Sequence, residues 1–277
     1  MPGQTEKVLL SIEEHVAVVT LNDPQLRNSI SDPDLMSGLL KAIEAVNADV
    51  TVRVAILTGA GSSFCSGGNL RRMNKLLEQR VSVPAITPSF YRGGIQQIPL
   101  AFERSDVPFI AAINGPAIGG GTDLACMCDI RIASRSARFA SNFVRLGLVP
   151  GDGGAWLLPR IVGMSKACEL ALTGDIIDAD DALACGLVSR VVEDTELMAS
   201  ARDLASRIAR NPAYSVRMTR RLLIEGQNLR LSSHLESVAA WQSLAHTTNE
   251  HRDALAHALK ARGFGQPEAS SPQGEEV

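Results

Sequence analysis

The chain has 277 residues, of which 45% are apolar and 21% charged, and it carries a formal net charge of −3. Those values suit a soluble globular protein with a real core, built as one large domain or as a main domain with an appendage. They argue against a general nucleic-acid binder, whose phosphate contacts need a basic surplus.

The cysteines, Cys65, Cys126, Cys128, Cys168 and Cys185, are odd in number and lack paired metal-ligand spacing. No metal site is expected from them; they read as reduced core thiols of a cytoplasmic protein. The chain opens without a basic region followed by an apolar run, and no segment nears the roughly 18 apolar residues of a membrane span. Neither secretion nor membrane insertion is expected.

In chain order, residues 8–12 and 16–21 are apolar runs around Glu13, Glu14 and His15, the pattern of a β-hairpin. Asn22, Asp23 and Pro24 stop the second run, and Ser31 or Asp32 is placed to cap a helix starting near Pro33. Leu35, Leu39, Ala42, Ile43 and Val46 recur on one face of that helix. Residues 52–58 read as a buried strand. Pro84, Pro88, Gly93 and Gly94 punctuate residues 71–105, with a helix expected over 89–104, and such a segment beside a site forms a wall or lid.

Residues 108–113 are a compact apolar run, the mark of a fully buried strand, and 138–141 form a shorter one. Beyond Ala155 helices are expected over 165–172, 178–184, 195–210, 212–225, 231–246 and 249–262, with a strand over 187–192. The expected organisation is a core over 1–195, a helical region over 196–264 and a polar, disordered tail over 265–277.

Three glycine-bearing loops interrupt this pattern. GAGSSFCSGGNL follows the strand over 52–58, Gly119, Gly120 and Gly121 follow the central strand and lead into a helix over 122–127, and GLVPGDGG covers 147–154. Consecutive glycines let the chain turn sharply and let a ligand approach bare backbone. A helix start there points free N–H groups and the positive dipole end into the approach path, which suits an oxygen gaining negative charge. Tight helix-to-strand packing is the other reading of the triplet. GAG is not a dinucleotide fingerprint, because Phe64 stands where that motif needs glycine. No histidine lies in these loops, so a nucleophilic role for Cys65 is not expected.

Taken together, INGPAIGGGTDLACMCDIRIAS, FCSGGNL, FVRLGLVPGDGGAWLLPRIVG and LTGDIIDADDALACGLVSRVV give a sequence that resembles the crotonase superfamily, the enoyl-CoA hydratase/isomerase family, over residues 8–263. The resemblance implies an α/β crotonase (ClpP-like) spiral of ββα units with a helical C-terminal trimerisation region. It also implies a homotrimer or dimer of trimers and an acyl-CoA thioester substrate. CoA enters as part of that substrate, so no separate cofactor is expected.

Carried onto this chain, the resemblance implies an oxyanion hole made by the amides of Gly68 and Gly120. Two fixed N–H donors would hold the thioester oxygen as an enolate forms. CoA-binding loops are implied at Gln25, Leu26 and Arg27 and at Ser66, Gly68, Asn69 and Leu70, with Lys260 and Arg262 as candidates for a neighbouring subunit's CoA phosphates.

Family hydratases carry glutamates at the positions of Asp123 and Phe143. Asp123 keeps an acid one methylene shorter, as the dienoyl-CoA isomerase branch does, whereas Phe143 is expected to line the acyl pocket. Asp152 offers another carboxylate, one residue beyond Gly151, where several superfamily isomerases place an acid. An Asx-turn role or a salt bridge with Arg145 competes for it. The implied reaction is hydration or double-bond isomerisation, with Asp123, helped by Asp152, moving the α- or γ-proton. Thioester hydrolysis, decarboxylation, ring isomerisation and a silent acyl-CoA-binding protein are the competing readings.

Overall fold

The computed structural model describes residues 6–80 and 86–262. The strands are β1 (Val8–Glu13), β2 (Val16–Leu21), β3 (Val54–Gly59), β4 (Phe109–Ile113), β5 (Ala117–Ile118), β6 (Ile130–Ser134), β7 (Arg138–Ala140), β8 (Ile177–Asp178) and β9 (Arg190–Val192). The helices are α1 (Pro33–Ala48), α2 (Leu70–Arg80), α3 (Ile86–Gly93), α4 (Gln97–Arg104), α5 (Gly120–Met127), α6 (Gly154–Val162), α7 (Met164–Thr173), α8 (Ala179–Ala184), α9 (Leu197–Ala209), α10 (Ala213–Gly226), α11 (Leu231–His246) and α12 (Asn249–Ala261).

β1 and β2 form the expected hairpin, and β2, β3, β4, β6 and β9 then run parallel in one six-stranded sheet of order β1-β2-β3-β4-β6-β9. A second sheet, β5-β7-β8, pairs β5 with β7 in parallel. Alternation along the strands sorts the main sheet's side chains between two apolar layers. Ala17, Val19, Ala55, Leu57, Phe109 and Ala111 enter one layer with Leu35, Leu39 and Ile43 of α1, while Val18, Ile56, Ile110 and Ile132 meet α9 on the other. The face α9 presents is Leu197, Ala201, Ala205 and Ala209, a repeat of four that a helix stacks on one side.

The helix capped by Asp32 starts at Pro33 as its sequence predicts, with Asp32 Oδ1 accepting from the amides of Asp34 and Leu35 at 3.1 Å. Two expectations are corrected. The helix expected over 89–104 is two helices, because the chain turns at Gly94, whose amide donates to the Tyr91 carbonyl, and restarts in α4. The helix α6 stands over residues for which no element is expected, and it holds Pro159 in its interior. The proline removes one amide donor, and Arg160 Nη1 binds the Trp156 carbonyl at 2.9 Å on the same turn.

The chain separates into two units, one running through Ile224 and the other from Glu225, so α9 belongs with the sheet it covers and not with the C-terminal helices. In the first unit Arg220, 5% exposed, binds Asp129 and the carbonyls of Phe102 and Ser105. The second unit contains the helix pair α11 and α12, which pack on one another. No described helix is long and apolar enough to cross a membrane. The tail over 265–277 lies outside the described residues.

Candidate active site

The first and second glycine loops meet because neither carries a side chain where they touch. A Cβ on Gly67 would lie 2.8 Å from the Gly120 amide nitrogen, and one on Gly121 would strike the Cys65 carbonyl. Ile118 donates its amide to that same carbonyl at 3.0 Å, extending a parallel bridge between Cys65 and Ala117. Gly67 and Gly119 hold positive φ of 71° and 55°, the left-handed region that glycine enters freely. The meeting leaves Gly68 and Gly120 on the wall of one cavity of about 440 Å³. Gly120 opens α5, so its amide is one of the orphan donors of a helix start.

The helix expected over 122–127 therefore begins two residues early. That places Asp123 within its first turn, where it is 1% exposed. The third loop comes over it: Asp152 is 6% exposed and the two carboxyl groups face each other. Both oxygens of Asp123 and Oδ1 of Asp152 are buried without a well-formed hydrogen bond.

Glycines again make the room. A Cβ on Gly154 would fall on the Asp123 carboxyl, and one on Gly120 would fall on Asp152 Oδ2. Asp152 lines the cavity with Gly68, Gly120 and Phe143; Asp123 sits behind it, off the cavity wall.

Burial holds the Asp123 carboxyl well above its ordinary value of 3.8, and the neighbouring Asp152 charge pushes it further, against a smaller pull from the Gly154 amide. Burial also raises Asp152, while contact with Asp123 and its own amide hold it lower. Two touching carboxyls cannot both ionise readily, so the pair titrates as a unit that keeps one proton on the Asp123 side.

This pair has a cost that stability measurements read. A carboxyl whose native pKa is raised stabilises the fold fully only below about 3.8, and that contribution is lost as pH climbs toward the raised native value. Asp123→Asn keeps the shape and removes the titration. Its melting temperature is expected to exceed the wild type's by a few degrees at pH 7, with the gap narrowing toward pH 4. A gap independent of pH in thermal melts would show that Asp123 is not a raised acid.

The CoA loops implied by the resemblance are pinned together at the backbone. Ser66 donates its amide to the Arg27 carbonyl at 2.9 Å and its hydroxyl to the Leu26 carbonyl at 3.2 Å. Arg27 holds a φ of 51°, and behind it the buried Asn28 side chain donates to the carbonyls of Ala60 and Ser63. Asn69 lines the cavity and caps α2 through the Arg72 amide at 3.2 Å. Gln25, Leu26, Arg27 and Leu70 are exposed and Ser66 is half-buried; none of the five lies on the cavity wall.

Arg145 does not reach Asp152; it pairs with Asp175 and binds the Thr173 carbonyl. Burial pushes the Cys65 thiol up to about 12, far from a thiolate nucleophile at neutral pH. Sequence reasoning passed over Met36, Arg72, Met73, Phe90 and Tyr91, which complete the cavity wall. For all of these but Met36, only the proline and glycine punctuation of 71–105 signalled that a wall would come from there.

The family model described as enoyl-CoA hydratase/isomerase matches residues 11–261. This chain belongs to the enoyl-CoA hydratase/isomerase family. It is 33% identical over 260 residues to the 1,2-epoxyphenylacetyl-CoA isomerase of Escherichia coli, covering 93% of this chain and 97% of that one. It is 35% identical over 262 residues to the short-chain-enoyl-CoA hydratase of Clostridium acetobutylicum, covering 94% and 97%.

Among solved structures, the enoyl-CoA hydratase of Bacillus anthracis superposes with a TM-score of 0.83 at 32% identity, over 92% of this chain and 96% of that one. The fold of this hydratase/isomerase family member is accordingly the crotonase fold. A relative named as an epoxide isomerase and a relative named as a hydratase lie at similar identity, so the reaction has to be read from the acids of the site.

Proposed function

We propose that this family member isomerises the double bond of an enoyl-CoA thioester through one proton carrier, the Asp152–Asp123 pair. The observation that carries the reading is that two buried carboxyls touch, and only Asp152 faces the cavity. Syn hydration asks for one group to activate water and another to manage the α-proton. Here Phe143 occupies the position of the second hydratase glutamate, and the touching pair behaves as one acid.

The scheme begins with a 3-enoyl thioester whose carbonyl oxygen accepts from the amides of Gly68 and Gly120. Asp152 removes the α-proton, the electron pair moves into a dienolate, and the negative charge gathers on the oxygen held by those amides. The same carboxyl, its proton exchanging with solvent, delivers a proton to C4 and leaves the 2-enoyl thioester, with no net gain or loss of atoms. Asp123 keeps its proton throughout and prevents Asp152 from being stranded between two negative charges. The loops at Gln25, Leu26, Arg27, Ser66, Asn69 and Leu70 would hold the CoA portion.

Turnover of a panel of 3-enoyl-CoA and 2-enoyl-CoA thioesters in water labelled with deuterium and oxygen-18, followed by mass spectrometry, tests the scheme. A shifted double bond with deuterium and no oxygen-18 is expected. Incorporation of oxygen-18 into a hydroxyacyl product would replace isomerisation with hydration.

The homotrimer or dimer of trimers is part of this reading. Its support is the leucines that α11 and α12 leave exposed, among them Leu231, Leu235, Leu244, Leu255 and Leu259.

A further inference from the structure

The proton chemistry leaves one charged group of the cavity without a task. Arg72 stands on the first turn of α2 and lines the cavity beside Met36, Met73, Phe90 and Phe143. Its amide is held by Asn69, but among the described residues its guanidinium makes no ion pair and no hydrogen bond. Three cations elsewhere in this unit are engaged by carboxylates: Lys7 by Asp23 and Asp32, Arg145 by Asp175, Arg220 by Asp129. Arg71, one residue earlier, is exposed, whereas Arg72 is half-buried against apolar walls. Arg72 and Asp152 line the same cavity without pairing.

A guanidinium on a half-buried side chain with no counter-ion is open to an anion, and its planar fork of N–H donors matches a carboxylate. The cavity volume is that of a small-molecule site, and the rest of its wall is mostly apolar. A ligand filling it would therefore be largely hydrocarbon and carry one anionic group.

We propose that the acyl group of the substrate bears a carboxylate of its own, so that the substrate is a mono-CoA thioester of a dicarboxylic acid, and that Arg72 selects it. The inference rests on the acyl-CoA reading above and adds the class of acyl group to it. The other anionic oxygens that could meet Arg72 are the CoA phosphates, and those are present on every CoA ester.

The test measures dissociation constants by calorimetry for two matched pairs, adipoyl-CoA with hexanoyl-CoA and suberoyl-CoA with octanoyl-CoA, on the full chain and on Arg72→Met. Within at least one pair the carboxylate-bearing thioester is expected to bind the wild type about tenfold tighter or more, as a charge-assisted bidentate contact gives. In Arg72→Met that preference is lost or reversed, while hexanoyl-CoA and octanoyl-CoA keep their affinity.

Tight binding of the neutral thioesters with no carboxylate preference in the wild type would overturn the inference and leave the acyl-CoA reading standing. Equal weakening of all four thioesters and of free CoA in Arg72→Met would overturn it in favour of a phosphate contact. Absence of binding by every thioester would remove the acyl-CoA reading, and this inference with it.

Discussion

Asp152→Asn is expected to lower turnover by roughly 10²- to 10⁴-fold, the range that a positioned general acid or base supplies. The reason is geometric. Asp152 is the carboxyl on the cavity wall, and Asp123 behind it has no path to a substrate carbon except through Asp152. The asparagine variant keeps the volume that fits against Gly120, so its fold and its affinity for acyl-CoA should survive.

Removing a buried group of raised pKa should also make the protein more stable above pH 4, the trade between stability and activity common at active sites. Steady-state turnover together with thermal melts checks both halves. A variant that loses activity and stability together would point to a structural aspartate instead. Asp123→Asn should cost less activity, because the charge it guards remains in place.

Much of this arrangement could be read before the structure. The hairpin, the capped helix from Pro33 and the buried central strand follow from runs of apolar residues and from capping residues. Their periodicity is local and needs no knowledge of distant neighbours. The three glycine loops could be picked out as candidate walls for the same reason.

What local pattern could not say is why the glycines are there. Gly154 makes space for Asp123, and Gly121 for the Cys65 carbonyl, partners 31 and 56 positions away respectively. Nor could it place Asp152, which stands one residue out of frame with related isomerases yet is carried over Asp123 by the third loop. Arg72 escaped notice because a charged residue opening a helix looks like any solvated one until the opposing wall of Phe90 and Tyr91 is in place.

The second large effect is expected at Gly68. Proline there removes the N–H without adding a charge, and loss of one such donor costs about 10²- to 10³-fold in kcat. Alanine is the control. Its Cβ would meet only the thioether end of Met73, the movable end of a flexible side chain, so the amide stays and activity should remain within a few-fold of wild type. Gly120 offers no such control, because even alanine there would collide with Asp152. Equal losses in Gly68→Ala and Gly68→Pro would mean that shape and not the donor matters at this position, and would remove the Gly68 amide from the scheme.

The most direct test does not require the natural substrate. A saturated acyl-CoA bound in D₂O can only exchange its α-protons, and the exchange is visible by NMR. The wild type is expected to wash deuterium into the α-carbon, while Asp152→Asn binds the same thioester and leaves its α-protons in place. Exchange at the wild-type rate in Asp152→Asn, or none in a wild type that demonstrably binds the thioester, would contradict the assignment of the Asp152–Asp123 pair as the proton carrier.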